Sequence, residues 1–279
     1  MKTIFKKSGA VNSAVLWSGP SQIDGAPIAL IAVNNSSNRK TGGMLQTYII
    51  RTDIDPVSAN RTGLDRSICG DCPLKGTVNP DKKTGTAEKR PCYVVLGQGP
   101  AMVYKSYLKG NYPALALDYS PAAYDITRHT IESDHCALLT AYGAGLNIRC
   151  GTYGDPAAVP SWVWKALLKQ ARGFTGYSHQ FGAIGPGTDQ DLAKFCMVSV
   201  DDYLEARGHW AQNRRTFRIV QSIAEVDRFK EVVCPATPEG GSRTNCDNCN
   251  LCAGSSVSAK SVAVVAHGSG AKHIPAVNV

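Results

Sequence analysis

The chain has 279 residues, 43% of them hydrophobic, and its 30 Lys and Arg against 22 Asp and Glu give a net charge of +8. That hydrophobic share excludes a largely disordered chain and supplies a sizeable core, and no run approaches the roughly 18 apolar residues of a membrane-spanning helix. The positive balance favours a polyanionic or phosphorylated partner, with a merely solvated basic surface as the alternative.

The opening stretch, MKTIFKKSGAVNSAVLWSGP, is broken by polar residues before an apolar core forms. It reads as neither a signal peptide nor a membrane anchor, which gives the expectation of a cytoplasmic protein. In a reducing compartment ten cysteines point to metal binding before disulfides. Residues 27–33 and 44–51 are β-rich and flank the turn formers NNSSNRKTGG, so they read as a hairpin with a long basic loop. Residues 70–90 read as a polar loop, and 100–113 as a helix stopped by Gly110 and Pro113. From about residue 146 short apolar strands alternate with helical patterns. Strands are expected at 146–150, 174–178, 194–200, 215–220 and 262–266, and an amphipathic helix at SWVWKALLKQA. Capping-box spacings at Ser199–Asp202 and Ser222–Glu225 open two more helices. This alternation predicts a parallel sheet: an α/β fold forming a partial or complete parallel barrel, with an N-terminal β extension over 1–60 and a barrel-like unit over 61–279.

Cys234, Cys246, Cys249 and Cys252 follow C-x11-C-x2-C-x2-C. A structural zinc site usually pairs two C-x2-C knuckles, whereas three thiols at successive x2 spacings with a remote fourth suit a cuboidal iron–sulfur cluster. A [4Fe-4S] cluster and zinc therefore both stand as readings. Cys69, Cys72 and Cys92 form a second set, C-x2-C-x19-C, suited either to a cluster with one open iron or to three ligands of a zinc site. Cys136, Cys150 and Cys196 stand alone and read as core residues.

Asp155, His179 and His267 each follow an expected parallel strand, and such strands present their carboxyl ends to one common face. They are candidates for acid–base or ligand duty there, joined by Arg218, whose guanidinium within a strand needs a carboxylate or phosphate partner. FGAIGPG at 181–187 looks like a phosphate cradle, but without a strand-to-helix frame it reads as a plain turn.

NRKTGGMLQTYII, SICGDCPLKG followed by CYVVLGQGP, IRCGTYGDPAAVP, TGYSHQF, CMVSVDD, TFRIV and the terminal CPAT and NCDNCNLCAG together resemble a family of phage- and prophage-encoded iron–sulfur proteins. The resemblance runs from about residue 35 to the end. More distantly the chain is similar to phage radical-SAM-like barrel proteins, which carry a cysteine cluster, a following CY and a later GD after a strand. It lacks their C-x3-C-x2-C hallmark. The resemblance implies one or two [4Fe-4S] clusters and raises the expectation of S-adenosylmethionine chemistry on a phosphorylated or nucleic-acid substrate. The competing expectation is a non-catalytic protein, stabilised by a cluster or by zinc, that binds nucleic acid or a host protein.

Overall fold

Residues Ala14–Trp17 are buried in succession and open a strand where the sequence reading assigns no element. In the computed structural model, which describes residues 12–34, 38–115, 128–256, 258–268 and 270–274, β1 (Ala14–Pro20) pairs antiparallel with β2 (Pro27–Val33), and β2 with β3 (Leu45–Arg51). The expected hairpin at 27–51 is thus the second half of a three-stranded meander. β2 is buried over five consecutive residues, as a strand covered on both faces must be.

A long crossover leads from β3 to its parallel neighbour. Its first helix, α1 (Pro56–Thr62), is capped by Asp55, whose carboxylate accepts from the amides of Val57 and Ser58, both at 3.0 Å. Next come α2 (Arg66–Cys69), a polar loop, α3 (Gly99–Leu108) and α4 (Arg128–Gly143). Then β4 (Asn147–Tyr153), α5 (Ser161–Leu168), β5 (Gly173–Ser178), α6 (Pro186–Leu192), β6 (Met197–Val200), α7 (Tyr203–Ala211) and β7 (Thr216–Val220) alternate. β8 (Glu231–Val233), α8 (Cys246–Cys249) and β9 (Ser261–Val265) end the series.

The nine strands form one mixed sheet in the order β1-β2-β3-β4-β5-β6-β7-β9-β8, and every pairing from β3 onward is parallel. Three expectations shift. Helix α7 is capped by Asp202, which accepts from the Glu205 amide at 2.8 Å, three residues beyond the expected cap Ser199; Ser199 stays in β6 opposite Phe217. The Ser222–Glu225 box forms, with the Ser222 amide donating to Glu225 Oε1 at 3.1 Å, but it closes only a single turn at Ile223–Glu225. The 181–187 stretch does sit between strand β5 and helix α6, yet the Gly182 amide already donates to the Asp189 carboxylate at 2.9 and 3.0 Å.

The main core lies on one side of the sheet. Leu139 and Tyr142 of α4 and Val163, Trp164 and Leu167 of α5 join Ile148, Cys150 and Cys196, all essentially inaccessible to water. Cys150 and Cys196 are core thiols, as the sequence suggests, and burial raises both. No helix among the described residues is long and apolar enough to cross a membrane.

Candidate functional site

Because side chains alternate along a strand, the face opposite that core carries Arg149 of β4, Thr175 and Tyr177 of β5, Ser199 of β6, Phe217 and Ile219 of β7, and Val262 and Val264 of β9. These residues line a cavity of about 740 Å³. Cys69, Cys72, Cys92, Cys234, Cys246, Cys249 and Cys252 line the same cavity, as do Asp155, His179 and His267. Arg218 borders it only through its place in β7: between Phe217 and Ile219, its 1%-exposed side chain turns to the other face of the sheet, toward Glu231 and Tyr203, and does not project inward as expected.

The C-terminal thiols arrive on a segment tied down at many points. The Cys246 amide donates to the Lys40 carbonyl at 2.8 Å, and Asn245 caps α8 through the Asn248 amide at 3.0 Å. Asp247 accepts from Asn147 Nδ2 at 2.7 Å and from Arg172 at 3.2 Å, which fixes the segment at the amino ends of β4 and β5. Arg215 binds the carbonyls of Leu251, Gly254 and Lys260 at 2.6–3.1 Å. This arginine of the basic cluster RRTFR is 5% exposed and belongs to the frame of the thiol loop, not to a contact surface for polyanions. Within the set, Cys252 feels Cys234, Cys246 and Cys249 electrostatically; burial is the larger cause that pushes its thiol up to about 12. Burial likewise raises Cys246, against the pull of Arg149.

The second set forms at the carboxyl ends of the strands. Cys69 ends α2, and Gly70 follows at φ +55°, ψ −135°, a conformation open essentially to glycine alone. The 19-residue gap between Cys72 and Cys92 closes through the Cys92 amide on the Leu74 carbonyl at 3.0 Å and a Thr77–Glu88 bridge. Burial raises Cys69 well above the ordinary thiol range, with Asp65, Cys72 and Cys92 adding to the effect, and burial raises Cys92 against the opposing charge of Arg90. Arg90 Nε and Tyr153 Oη are buried beside these thiols with no hydrogen-bond partner among the described residues. Two donors in that position fit sulfur that has become anionic on binding a metal or cluster.

Asp155 is 8% exposed and its carboxylate accepts from the Ala157 amide, Ser178 Oγ and the His179 amide at 2.7–2.9 Å. Burial raises it in spite of those bonds. Its hydrogen bonds hold the 155–158 turn against the end of β5. His179 lies 3.5 Å from Asp201 and beside the Cys72 thiol. Burial pulls its pKa down, but Asp201 and Cys72 outweigh that and hold it well above the usual histidine value. The partner expected for Arg218 is Glu231, met by two parallel bonds at 2.9 and 2.7 Å, and the guanidinium also faces the Tyr203 ring on α7 at 5.6 Å. His267 is exposed and its Nδ1 lies 2.8 Å from the Val265 carbonyl.

Sequence patterns give no sign of Arg149, Tyr93 or Thr175. Arg149 is 8% exposed, donates to Tyr93 Oη at 2.5 Å, and sits 6.0 and 5.9 Å from the Tyr93 and Tyr177 ring centroids. A run such as LNIRC signals a strand, but only the pairing register decides that its arginine faces the cavity. Among the described residues, no three His, Cys, Asp or Glu side chains close on the geometry of a single metal ion.

The molecule is thus a mixed α/β protein with a thiol-rich cavity on one face of a mostly parallel sheet. No protein-family description, curated protein or solved structure matches the chain.

Proposed function

We propose that the protein holds iron–sulfur clusters on two thiol sets: Cys234, Cys246, Cys249 and Cys252 as a complete four-thiolate set, and Cys69, Cys72 and Cys92 as a three-thiolate set. The observation that carries this reading is the convergence of all seven thiols on one cavity, with electrostatic coupling inside each set. Zinc binds its sulfurs at about 2.3 Å and draws them together around one ion, whereas a cluster gives each thiolate its own iron and suits a wider array. A three-thiolate cluster supplies an iron with an open coordination position. Next to it, His179 holds a proton between Asp201 and the Cys72 sulfur, and Arg90 and Tyr153 offer unused donors to the sulfurs. Beside the C-terminal set, Tyr177 and Phe217, with ring centroids 4.3 Å apart, keep the cavity wall apolar. On this reading the sheet is a partial barrel and the protein a radical-SAM-like enzyme, with the Cys69 set as reactive centre and the C-terminal set as auxiliary.

One observation favours a non-catalytic alternative: the polar atoms of Asp155 and Arg218 are engaged inside the fold. The metal, iron or zinc, would then be structural, and the exposed Lys83 and Lys89 would form a contact surface for nucleic acid or a host protein.

Anaerobic purification with iron, sulfide and zinc analysis tests the proposal. Brown protein with broad absorption near 400 nm is expected, and Cys72→Ser and Cys252→Ser should each remove about half of the iron. Colourless protein with stoichiometric zinc overturns the iron–sulfur reading.

A further inference from the structure

We propose that Arg149 and Thr175 form an oxyanion-binding subsite in the cavity, built to hold the carboxylate or phosphate of a small-molecule ligand lying between the two thiol sets. The inference deepens the reading of the cavity as a substrate chamber by naming the chemistry that is recognised, and it uses none of the thiol ligands.

Burying a guanidinium is unfavourable unless its charge and its donors are matched. The fold's other buried arginines obey this rule: Arg218 has Glu231, and Arg215 has three backbone carbonyls. Arg149 is 8% exposed, yet among the described residues its one protein hydrogen bond goes to a phenol and no carboxylate pairs with it. The Tyr93 and Tyr177 rings offer partial compensation by cation–π attraction, and the remaining N–H groups have no acceptor among the described residues. A planar fork in that state matches a carboxylate or a phosphate.

Thr175 adds the second, independent observation. It pairs directly with Arg149 in the β4–β5 register, stands on the same face and is 2% exposed, and its Oγ1 has no hydrogen-bond partner among the described residues. A neighbouring hydroxyl and guanidinium on adjacent strands can thus reach one oxyanion. The wider field agrees, since Lys40, Lys75, Lys89 and Arg90 line the cavity together with Arg149 against three Asp. Two of those carboxylates are already taken up, Asp65 by Asn60 and Asp155 by its own turn and Ser178.

A competing role for Arg149 is counter-charge to the Cys246 sulfur, which lies within its electrostatic reach. That role predicts no ligand affinity and no use for the Thr175 hydroxyl.

Calorimetric titration of the full-length, anaerobically purified protein with inorganic phosphate and, separately, succinate distinguishes the two oxyanion sources, with iron and sulfide measured on the same sample. Saturable binding of one probe is expected. Arg149→Gln should weaken it roughly 10- to 100-fold, as loss of a charge-assisted hydrogen bond does, and Thr175→Val severalfold, with unchanged circular dichroism. If Arg149→Gln does not fold, the near-isosteric Thr175→Val carries the test alone. Failure of both probes to bind wild-type protein, or an affinity that neither variant changes, overturns the subsite. A variant that alters iron content or cluster potential while probe affinity stays constant also overturns it in favour of the counter-charge role. Binding by protein that contains no iron supports the subsite and overturns the cluster reading instead.

Discussion

Replacing Glu231 with glutamine removes the charge that Arg218 is built around, and the structure sets the size of the effect. The two side chains are 1% and 0% exposed, joined by two bonds of 2.9 and 2.7 Å. Arg218 also donates to the Glu225 carbonyl at 2.6 Å, and Glu231 accepts from the Asp227 amide at 3.0 Å. Taking one partner from a pair so deeply buried leaves an unmatched guanidinium, which costs about 3–5 kcal/mol. Total stability for a domain is of the order of 5–15 kcal/mol, so the loss is a large fraction of it. At roughly 2–4 °C per kcal/mol for a chain of this size, the melting temperature should fall by about 10 °C. The paired replacement Arg218→Met with Glu231→Leu should cost less than Glu231→Gln alone, because no charge stays buried. Urea unfolding followed by circular dichroism on both variants and wild type provides the comparison. A cost below about 1 kcal/mol for Glu231→Gln, the size expected of a solvated pair, would refute the reasoning.

Other expectations follow from single sites. Asp191 accepts from Lys165, Ser161 and Lys194 at 2.6, 2.7 and 3.2 Å; burial opposes ionisation, but these partners hold its pKa at about 2, below the ordinary 3.8. A depressed folded-state pKa gives stability above the unfolded value that is lost as pH falls through the folded one. With both lysines half-exposed or more, Asp191→Asn should cost only about 1 kcal/mol at pH 7, and the gap from wild type should close between roughly pH 4 and pH 2; a gap constant with pH would count against it. Gly70→Ala places a Cβ 2.1 Å from Gln180 Oε1 at a φ of +55°, so it should destabilise by about 1–3 kcal/mol. It should also speed alkylation of Cys69 and Cys72 in metal-free protein, and an unchanged melting curve would argue against the strain.

The parallel half of the sheet is legible in the sequence because its short strands alternate with helical patterns at βαβ spacing. β8 is not, since it begins with Glu231, a residue that enters a strand only because Arg218 of β7 meets it there. α4 is hidden by its mixed composition, RHTIESDHCALLTAYG, although Leu139 and Tyr142 are fully buried within it. The cap of α7 is displaced because Ser199 and Asp202 are both competent caps, and pairing of Ser199 with β7 removes it from the competition. The thiol sets are legible because three of their spacings are local. The Arg149–Tyr93 contact spans 56 residues and depends on the parity of β4, which no local pattern carries.

The two thiol sets reach the cavity by different routes, and the routes give them different mechanical character. The C-terminal set is held by groups distant in the chain: the Arg215 side chain just ahead of β7, Asn147 of β4, and the Lys40 carbonyl ahead of β3. Moving it requires breaking contacts with several core elements at once, so it behaves as part of the frame. The Cys69 set rests on a four-residue helix and a polar loop closed by a few backbone bonds, with Gln180 and His179 as its links to the end of β5. Few buried apolar contacts hold that loop, and Val78, Tyr93 and Val95 in it are exposed by 41%, 52% and 49%. Local opening there costs less than at the C-terminal set. A ligand reaching Arg149 would contact Tyr93, which belongs to this looser wall, so occupancy of the cavity and order in the 70–98 loop are coupled. Protection of the loop amides from hydrogen exchange should rise when phosphate or succinate binds, while the amides of 245–252 should change little. Equal changes in both segments would mean that the two walls open as one unit.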